Sequence, residues 1–203
     1  MSSEKSSTRI STRGIQTREQ ILQAARKLFA QQGYHNTSIY DLFDKAGITK
    51  GALFHHWKSK EELALAVFAE LQTCFNENFF KVQQENGRAR DKIERILRTL
   101  ADLSKDGNWS YGRIFALWCT ELRAADEGVG AVVHELKLRW CILWKELLKK
   151  AQQEHDLRGD ISAENLSFLV VGAISGVQLM CGGDDADGCA KTAYETLRKT
   201  LLT

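Results

Sequence analysis

The strongest constraint on the fold of this chain is that none of its 203 residues is proline, the residue that interrupts helices most effectively. Its 15 glycines stand mostly between segments whose apolar residues recur at helical spacing. No apolar run approaches the roughly 20 residues of a membrane-spanning helix. The opening stretch MSSEKSSTRISTRG lacks the apolar centre of a signal peptide. We therefore expect an all-α fold, no membrane partner and a cytoplasmic location.

Charge is distributed unevenly along the chain. Residues 1–60 contain ten Lys or Arg against four Asp or Glu, whereas residues 61–203 contain eighteen against twenty-two. A basic N-terminal quarter attached to an acidic body indicates that the first part meets a polyanion and the second does not.

The cysteines are five in number, an odd count, and they are widely spaced. Four of them fall within apolar helical patterns, which favours buried free thiols over a disulfide framework, a zinc cluster or a redox pair. They are Cys74, Cys119, Cys141, Cys181 and Cys189. The adjacent His55 and His56 point about 100° apart on a helix and have no further ligand at a useful spacing, so we predict no metal and no cofactor.

Residues 37–60, TSIYDLFDKAGITKGALFHHWKSK, have the pattern of two short helices joined by a tight turn at Gly47. Thr37 or Ser38 caps the first helix and Thr49 caps the second. Apolar residues recur on one side of each helix, namely Ile39, Leu42, Phe43 and Ala46 in the first and Leu53 and Trp57 in the second. This is the pattern of a helix-turn-helix DNA-binding motif.

The exposed side of the second short helix carries small, polar and basic residues, which are Lys50, Gly51, Ala52, Phe54 and His55. Gly51 and Ala52 let the helix backbone approach base edges closely, and Lys50 can donate to guanine or phosphate. We predict that this helix reads the major groove.

A longer helix precedes this motif over residues 17–32, TREQILQAARKLFAQQ, with one apolar face. Thr17 and Gln20 fit a capping box at its start, and Gly33 closes it. Residues 1–16 read as a flexible basic arm whose arginines either approach phosphates or remain in solvent.

The segments TREQIL, FAQQGYHNTSI and AGITKGALFHHWKSKEEL together resemble the N-terminal domain of the TetR family of transcriptional regulators, over a continuous match from about Thr17 to Leu63. The resemblance implies a three-helix DNA-binding domain over residues 17–60, followed by a larger helical domain over residues 61–203 that binds an effector and dimerises. It also implies that a homodimer binds a palindromic double-stranded DNA operator. Positions that commonly touch DNA in the family are occupied here by Thr37, Lys50, Gly51, Ala52, Phe54, His55 and Lys60. We add the predicted caps Ser38 and Thr49 to the DNA-binding set.

Two residues depart from the family pattern. Phe54 replaces the usual tyrosine, so a hydroxyl contact to phosphate is missing there, and Phe43 replaces the usual alanine. A third departure lies in the body, where YGRIFALWCTEL is similar to a branch of the family that often has cysteine at the position of Arg113. Thiol sensing is therefore not carried over, and Cys119 is only a weak substitute.

Aromatic residues crowd the middle of the chain, and four of the five tryptophans lie there. Such residues suit the wall of an effector cavity with a few polar groups, although an ordinary core has the same composition. The predicted pocket residues are Phe75, Phe79, Trp109, Tyr111, Arg113, Trp118, Cys119, Trp140 and Trp144. The resemblance further implies that the helix beginning near residue 61 tilts when the effector binds.

Two C-terminal helices complete the body. The first begins after Ser162, is apolar nearly all round, and carries Gly172 and Gly176 on a flat strip where another helix can approach. With the last helix it forms the predicted dimer face, through Gly172, Gly176, Leu179, Leu197 and Leu201.

The sequence favours a transcriptional regulator, most simply a repressor that a small-molecule effector releases from its operator. Two alternatives remain open: a helical enzyme with an accessory DNA-binding module, and a DNA-binding protein without an effector. Neither a phosphate-binding glycine loop nor a nucleophile elbow occurs in the sequence, so we predict no enzymatic activity.

Overall fold

A computed structural model describes residues 12–103, 109–122, 128–181 and 186–202. Every regular element within these ranges is helical, as the missing prolines predict. The elements are α1 (Thr12–Gln32), α2 (Ile39–Ala46), α3 (Lys50–His56), α4 (Lys60–Phe75), a π-helical segment (Asn76–Phe80), α5 (Lys81–Gln84), α6 (Ala89–Leu103), α7 (Trp109–Glu121), α8 (Val129–Gln153), α9 (Ala163–Met180) and α10 (Ala186–Leu201).

Short polar side chains begin several of these helices. The hydroxyls of Ser38, Thr49 and Ser162 accept hydrogen bonds from backbone amides in the first turns of α2, α3 and α9. The predicted cap at Thr49 is confirmed, and of the two candidates for α2 the cap is Ser38. Gly47 ends α2 with φ 65°, a left-handed conformation that glycine adopts without steric cost. The predicted turn between the two short helices is therefore confirmed.

The first helix begins earlier than its sequence pattern predicts. It starts at Thr12, so Thr17 lies inside the helix rather than at its cap. Nothing in the sequence RGIQ stops the helix there, and a single glycine costs only about 1 kcal/mol in a helix. The boundary of the predicted arm was wrong for residues 12–16, while residues 1–11 lie outside the described part of the chain.

The first three helices pack on one another around fully buried side chains. Leu42 and Leu53 have no exposed surface, and Trp57 is also buried. Phe29 of α1 belongs to the same core, which continues into the rest of the chain without a break. We call α1, α2 and α3 the reader, because the sequence predicts that they bind DNA, and we call the remaining helices the body. The reader packs on the body through α1, which contacts both α4 and α7.

The body is a layered helical bundle. α8 packs against α9, α6 packs against both α8 and α10, and α7 lies between α1 and α9. The π-helical segment continues α4 and changes the angular spacing of its side chains. As a result Phe75, Phe79 and Phe80 are all buried.

Two cysteines contradict the prediction of free thiols. A disulfide joins Cys181, at the end of α9, to Cys189 of α10, whose Cα atoms are 5.8 Å apart. The prediction was wrong because the end of α9 and the first turn of α10 lie side by side, which brings together two cysteines that are separated by eight residues in sequence. Cys74, Cys119 and Cys141 are free and partly buried, as predicted.

Helix α9 leaves much of its apolar surface uncovered within one protomer. Phe168, Leu169 and Met180 are 66%, 64% and 84% exposed. The helix is also the one described element long and apolar enough to cross a membrane, with a mean hydropathy of 1.3 over 18 residues. A single helix of this kind is weak support for a membrane span, because core helices have the same composition.

Candidate DNA interface and effector cavity

The outer face of α3 carries most of the residues predicted to touch DNA. Lys50, Gly51, Phe54 and His55 are exposed, and Ala52 is half-buried. The Lys50 ammonium lies 5.9 Å from the centre of the Phe54 ring, so the two side chains share one side of the helix. A Cβ added at Gly51 would touch only Thr49 Oγ1, at 4.0 Å. The backbone at Gly51 is therefore open to a large partner.

The two predicted caps use their side chains inside the protein. Thr49 Oγ1 accepts from the Ala52 amide at 3.2 Å. Ser38 and Asp41 form a reciprocal capping box, and the hydrogen bonds that Ser38 donates hold the pKa of Asp41 below its usual value. Both residues thus set the positions of α2 and α3.

Two residues predicted to touch DNA are turned inward. Thr37 has no exposed surface, and its hydroxyl donates to the Gly33 carbonyl at 2.6 Å, so this side chain is not available for the predicted contact with DNA. Lys60 donates from Nζ to the Tyr34 carbonyl at 2.9 Å and lies over the Tyr34 ring at 4.3 Å. Burial lowers the pKa of this half-buried lysine. The ammonium therefore makes an internal contact, and the predicted contact of Lys60 with DNA stays a prediction.

The structure adds one exposed aromatic that the sequence reading missed. Tyr40 of α2 is 65% exposed and packs edge-on against Phe43 at 5.6 Å. The signal was present, because the inward register of Ile39 and Leu42 leaves Tyr40 on the outer face of α2. Lys45 and Lys58 are also exposed on this domain.

An apolar cavity lies in the body between α4, α6, α7, α8 and α9. Its volume is about 30 Å³, room for one or two water molecules. Four of the nine predicted pocket residues line it: Phe75, Phe79, Tyr111 and Trp140. The remaining lining residues are Cys74, Leu100, Leu103, Gly112, Phe115, Ala116, Ile174, Ser175 and Gln178.

The other predicted pocket residues have different surroundings. Trp144 is fully buried behind Trp140, with ring centres 5.7 Å apart. Cys119 is largely buried away from the cavity lining, and burial raises the pKa of its thiol to about 12. Trp109 begins α7, but its side chain lies outside the described part of the chain.

Arg113 and Trp118 belong to the contact between α7 and α1 instead of to the cavity. Arg113 donates from Nε to the Ala30 carbonyl of α1 at 2.7 Å and from Nη1 to the Leu179 carbonyl of α9 at 2.6 Å. Trp118 is fully buried and meets the Phe29 ring of α1 edge-on at 5.2 Å. These two predictions were wrong because sequence spacing does not reveal which neighbour a helix face meets.

The end of α7 holds the end of α1. Glu121 accepts from the Tyr34 amide at 2.7 Å, just beyond the end of α1. Gly33 has φ 80°, and a Cβ there would overlap the Glu121 carboxylate. Glycine is therefore needed at position 33 for both its backbone conformation and this close approach.

A polar network at the mouth of the cavity connects three helices. Arg26 of α1 donates from Nη1 to Glu70 Oε2 of α4 at 2.9 Å and to Tyr111 Oη of α7 at 3.0 Å. Tyr111 Oη in turn donates to Glu70 Oε2 at 3.2 Å. Because Tyr111 also lines the cavity, one side chain contacts both the cavity and the reader.

The predicted dimer residues divide into two groups. Gly172 is exposed and Gly176 half-buried on α9, and a Cβ added at either position would meet nothing within 4 Å. Leu179 is also half-buried. Leu197 and Leu201 of α10 pack against the core of their own protomer. The open apolar surface of this region therefore lies mainly on α9.

Comparison with known proteins identifies relatives of both parts of the chain. The family model described as bacterial regulatory proteins, tetR family, matches residues 21–67. The HTH-type transcriptional regulator LmrA of Bacillus subtilis is 25% identical over 135 residues, which cover 66% of this chain and 72% of that protein. The HTH-type transcriptional repressor KstR2 of Rhodococcus jostii is 29% identical over 154 residues, covering 72% and 71%.

The fold of the described chain also matches solved structures. The crystal structure of AibR in complex with isovaleryl coenzyme A and operator DNA has a TM-score of 0.74 and 19% sequence identity. The match covers 92% of this chain and 98% of that one. At this level of identity the likeness extends to the fold alone.

Proposed function

Because this chain belongs to the TetR family of transcriptional regulators, we propose that it is a repressor that binds a palindromic operator as a homodimer and is released by a small-molecule effector. One observation carries the proposal: the Tyr111 side chain lines the cavity and also accepts a hydrogen bond from Arg26 in α1 of the reader. A ligand that moves this side chain must also disturb its contact with Arg26, which helps to hold α1 of the DNA-binding domain against the body.

The reader acts through the outer face of α3. Lys50 supplies a cation, and Gly51 and Ala52 allow the backbone to approach base edges. Tyr40 and Lys58 flank this face, so they are candidates for contacts with the phosphate backbone. Lys60 and Thr37 hold the reader together from inside.

A second copy of the chain supplies the second recognition helix. The exposed apolar strip on α9, formed by Phe168, Leu169, Gly172, Ala173 and Gly176, gives a self-complementary surface for a two-fold axis. A dimer of this kind places two α3 helices on successive major grooves, about 34 Å apart or somewhat further.

The effector acts by opening the cavity. A space of about 30 Å³ cannot hold an effector, so binding has to move the surrounding helices. α7 is the element most directly affected, because Tyr111 and Phe115 face the cavity while Arg113 and Glu121 hold α1. The effector and the operator then favour different arrangements of α7 and α1, which makes their binding mutually exclusive.

An enzymatic role gains no comparable support. The matching relatives are named as transcriptional regulators, and the polar groups at the cavity are engaged with one another at its mouth. AibR, whose fold this chain shares, was crystallised with both an acyl coenzyme A and operator DNA. We take a DNA-binding regulator with an effector site as the function.

The proposal is tested by selecting bound duplexes from a random pool with the full-length protein. We expect enrichment of a two-fold symmetric site whose half-sites lie about one helical turn apart or slightly more. The same selection with Lys50→Ala serves as the matched control and should enrich the site weakly or not at all. Enrichment of unrelated sequences without symmetry would contradict the proposal.

A further inference from the structure

One buried polar atom at the cavity lacks a partner. Gln178 of α9 is 5% exposed, and its Nε2 donates to Tyr194 Oη at 2.7 Å. Its Oε1 has no hydrogen-bond partner among the residues that the structure describes. Buried acceptors are nearly always paired, so an unpaired one points to a missing donor.

The position of this atom is tightly defined. Gln178 lines the cavity beside Gly112 of α7, and its amide packs so closely against this glycine that a Cβ at position 112 would overlap it. Tyr194 holds the other end of the amide and is itself buried, which raises the pKa of its phenol and keeps it neutral. The amide is therefore held against the cavity wall by partners on two helices.

The rest of the cavity wall is mainly apolar, and its other polar side chains are those of Cys74, Tyr111 and Ser175. Aromatic rings from Phe75, Phe79, Phe115 and Trp140 dominate it, and no described lining residue carries a charge. Arg26 and Glu70, which contact the Tyr111 hydroxyl, pair with each other, and Arg113 donates to backbone carbonyls of α1 and α9; none of the three lines the cavity. A charged group entering the cavity would lose its hydration without gaining an opposite charge.

We propose that the cavity binds a neutral, mainly apolar ligand whose hydroxyl group donates a hydrogen bond to Gln178 Oε1. A hydroxyl satisfies this site in either orientation of the amide, because it can also accept from Nε2 if the amide turns over. The assignment rests on the proposed function, in which this cavity is the effector site. It adds the chemical class of the ligand and the residue that recognises it.

Matched small molecules test the assignment on the full-length protein. The probes are 1-octanol and 2-cyclohexylethanol, each compared with a methyl ether and a carboxylate that have the same number of heavy atoms. Binding is followed by the intrinsic tryptophan fluorescence of the protein, to which Trp140 in the cavity lining contributes. We expect each alcohol to bind roughly fivefold more tightly than its ether, as one neutral hydrogen bond predicts. Each carboxylate should bind more weakly than its alcohol at neutral pH.

Substitutions at Gln178 test whether this residue causes the preference for alcohols over ethers. In Gln178→Leu and Gln178→Met, we expect the ratio between alcohol and ether to fall to about one while the ethers retain their affinity. Two variants are used so that the test still stands if one of them does not fold, and circular dichroism measures the helical content of each. Carboxylates that bind as tightly as alcohols, alcohols that never exceed their ethers, or a ratio unchanged by both variants would overturn the assignment.

The assignment and the proposed function fail in different ways. Operator binding is measured in the same samples by fluorescence anisotropy. An alcohol that binds through Gln178 but leaves the operator bound supports the ligand class and contradicts effector release. A carboxylate that enters the cavity and releases the operator contradicts the ligand class and supports effector release.

Discussion

Replacing Tyr111 by phenylalanine removes one hydroxyl from the junction between the cavity and the reader. In the native protein this hydroxyl accepts from Arg26 at 3.0 Å and donates to Glu70 at 3.2 Å. The ring itself remains, so the apolar contacts of the cavity wall are preserved. Tyr111→Phe therefore isolates the polar connection between α7 and the helices α1 and α4.

The expected loss follows from the chemistry of the two bonds. Hydrogen bonds to charged groups contribute about 1.5–3 kcal/mol when buried. The side chains of Arg26 and Glu70 are 21% and 29% exposed, so water recovers part of the lost interaction. We expect the free energy of unfolding to fall by about 1–2 kcal/mol.

A double-mutant cycle with Arg26→Leu measures the coupling directly by urea denaturation. We expect the two losses to differ from additivity by about 1 kcal/mol, because both substitutions remove the same contact. Tyr40→Phe is the control, since Tyr40 is 65% exposed and its change should stay within about 0.5 kcal/mol. Additivity of Tyr111→Phe and Arg26→Leu would refute the connection between cavity and reader.

Three further predictions concern other parts of the chain. Under oxidising conditions Cys189→Ala should lower the free energy of unfolding by about 2–3 kcal/mol, because the disulfide closes a short loop, and the difference from the native protein should vanish in dithiothreitol. Burial lowers the pKa of His56, so the unfolded chain binds a proton at this residue more tightly than the folded chain does. The free energy of unfolding should therefore fall as the pH drops below about 6.5. In His56→Gln, the urea midpoint should fall less between neutral and acidic pH than in the native protein. Phe168→Glu should convert the dimer to a monomer in sedimentation while leaving helical content unchanged, and an unaltered sedimentation coefficient would exclude α9 from the interface.

The reader was predictable from sequence because its signals are local. Caps at Ser38 and Thr49, the turn at Gly47 and the inward Leu53 all depend on residues within a few positions of one another. Hydrophobic spacing and capping chemistry determine such short elements directly. The start of α1 was missed because no residue between 12 and 17 marks a boundary.

The cavity was only partly predictable because its walls come from five helices. Phe75 and Trp140 were predicted to line the cavity because they are aromatic residues in a segment rich in aromatics. Trp118 lies in the same segment and is also aromatic, yet it contacts α1 instead. Gln178 and Gly112 were missed altogether, since neither is unusual until the two helices approach. The packing between helices decides these roles, and no local pattern encodes it.

Thr37 and Lys60 show the limit of carrying a role from one protein to another. The family resemblance predicts that both touch DNA, but here the Thr37 hydroxyl closes the turn after α1 and Lys60 lies over the Tyr34 ring. In the structure the Lys60 ammonium is held by the Tyr34 ring and by the Tyr34 backbone carbonyl, which also accepts from the Thr37 amide. Side-chain partners therefore have to be read from the structure.

The central claim, that α3 enters the major groove through a glycine that permits close approach, is tested most directly at Gly51. A Cβ there would meet only Thr49 Oγ1, at 4.0 Å, so we expect Gly51→Leu to raise the free energy of unfolding by about 0.7 kcal/mol through helix propensity. The same side chain should lower affinity for the selected operator at least roughly tenfold, because it keeps the helix from the base edges. Equal or greater operator affinity in a stable Gly51→Leu protein would contradict the account.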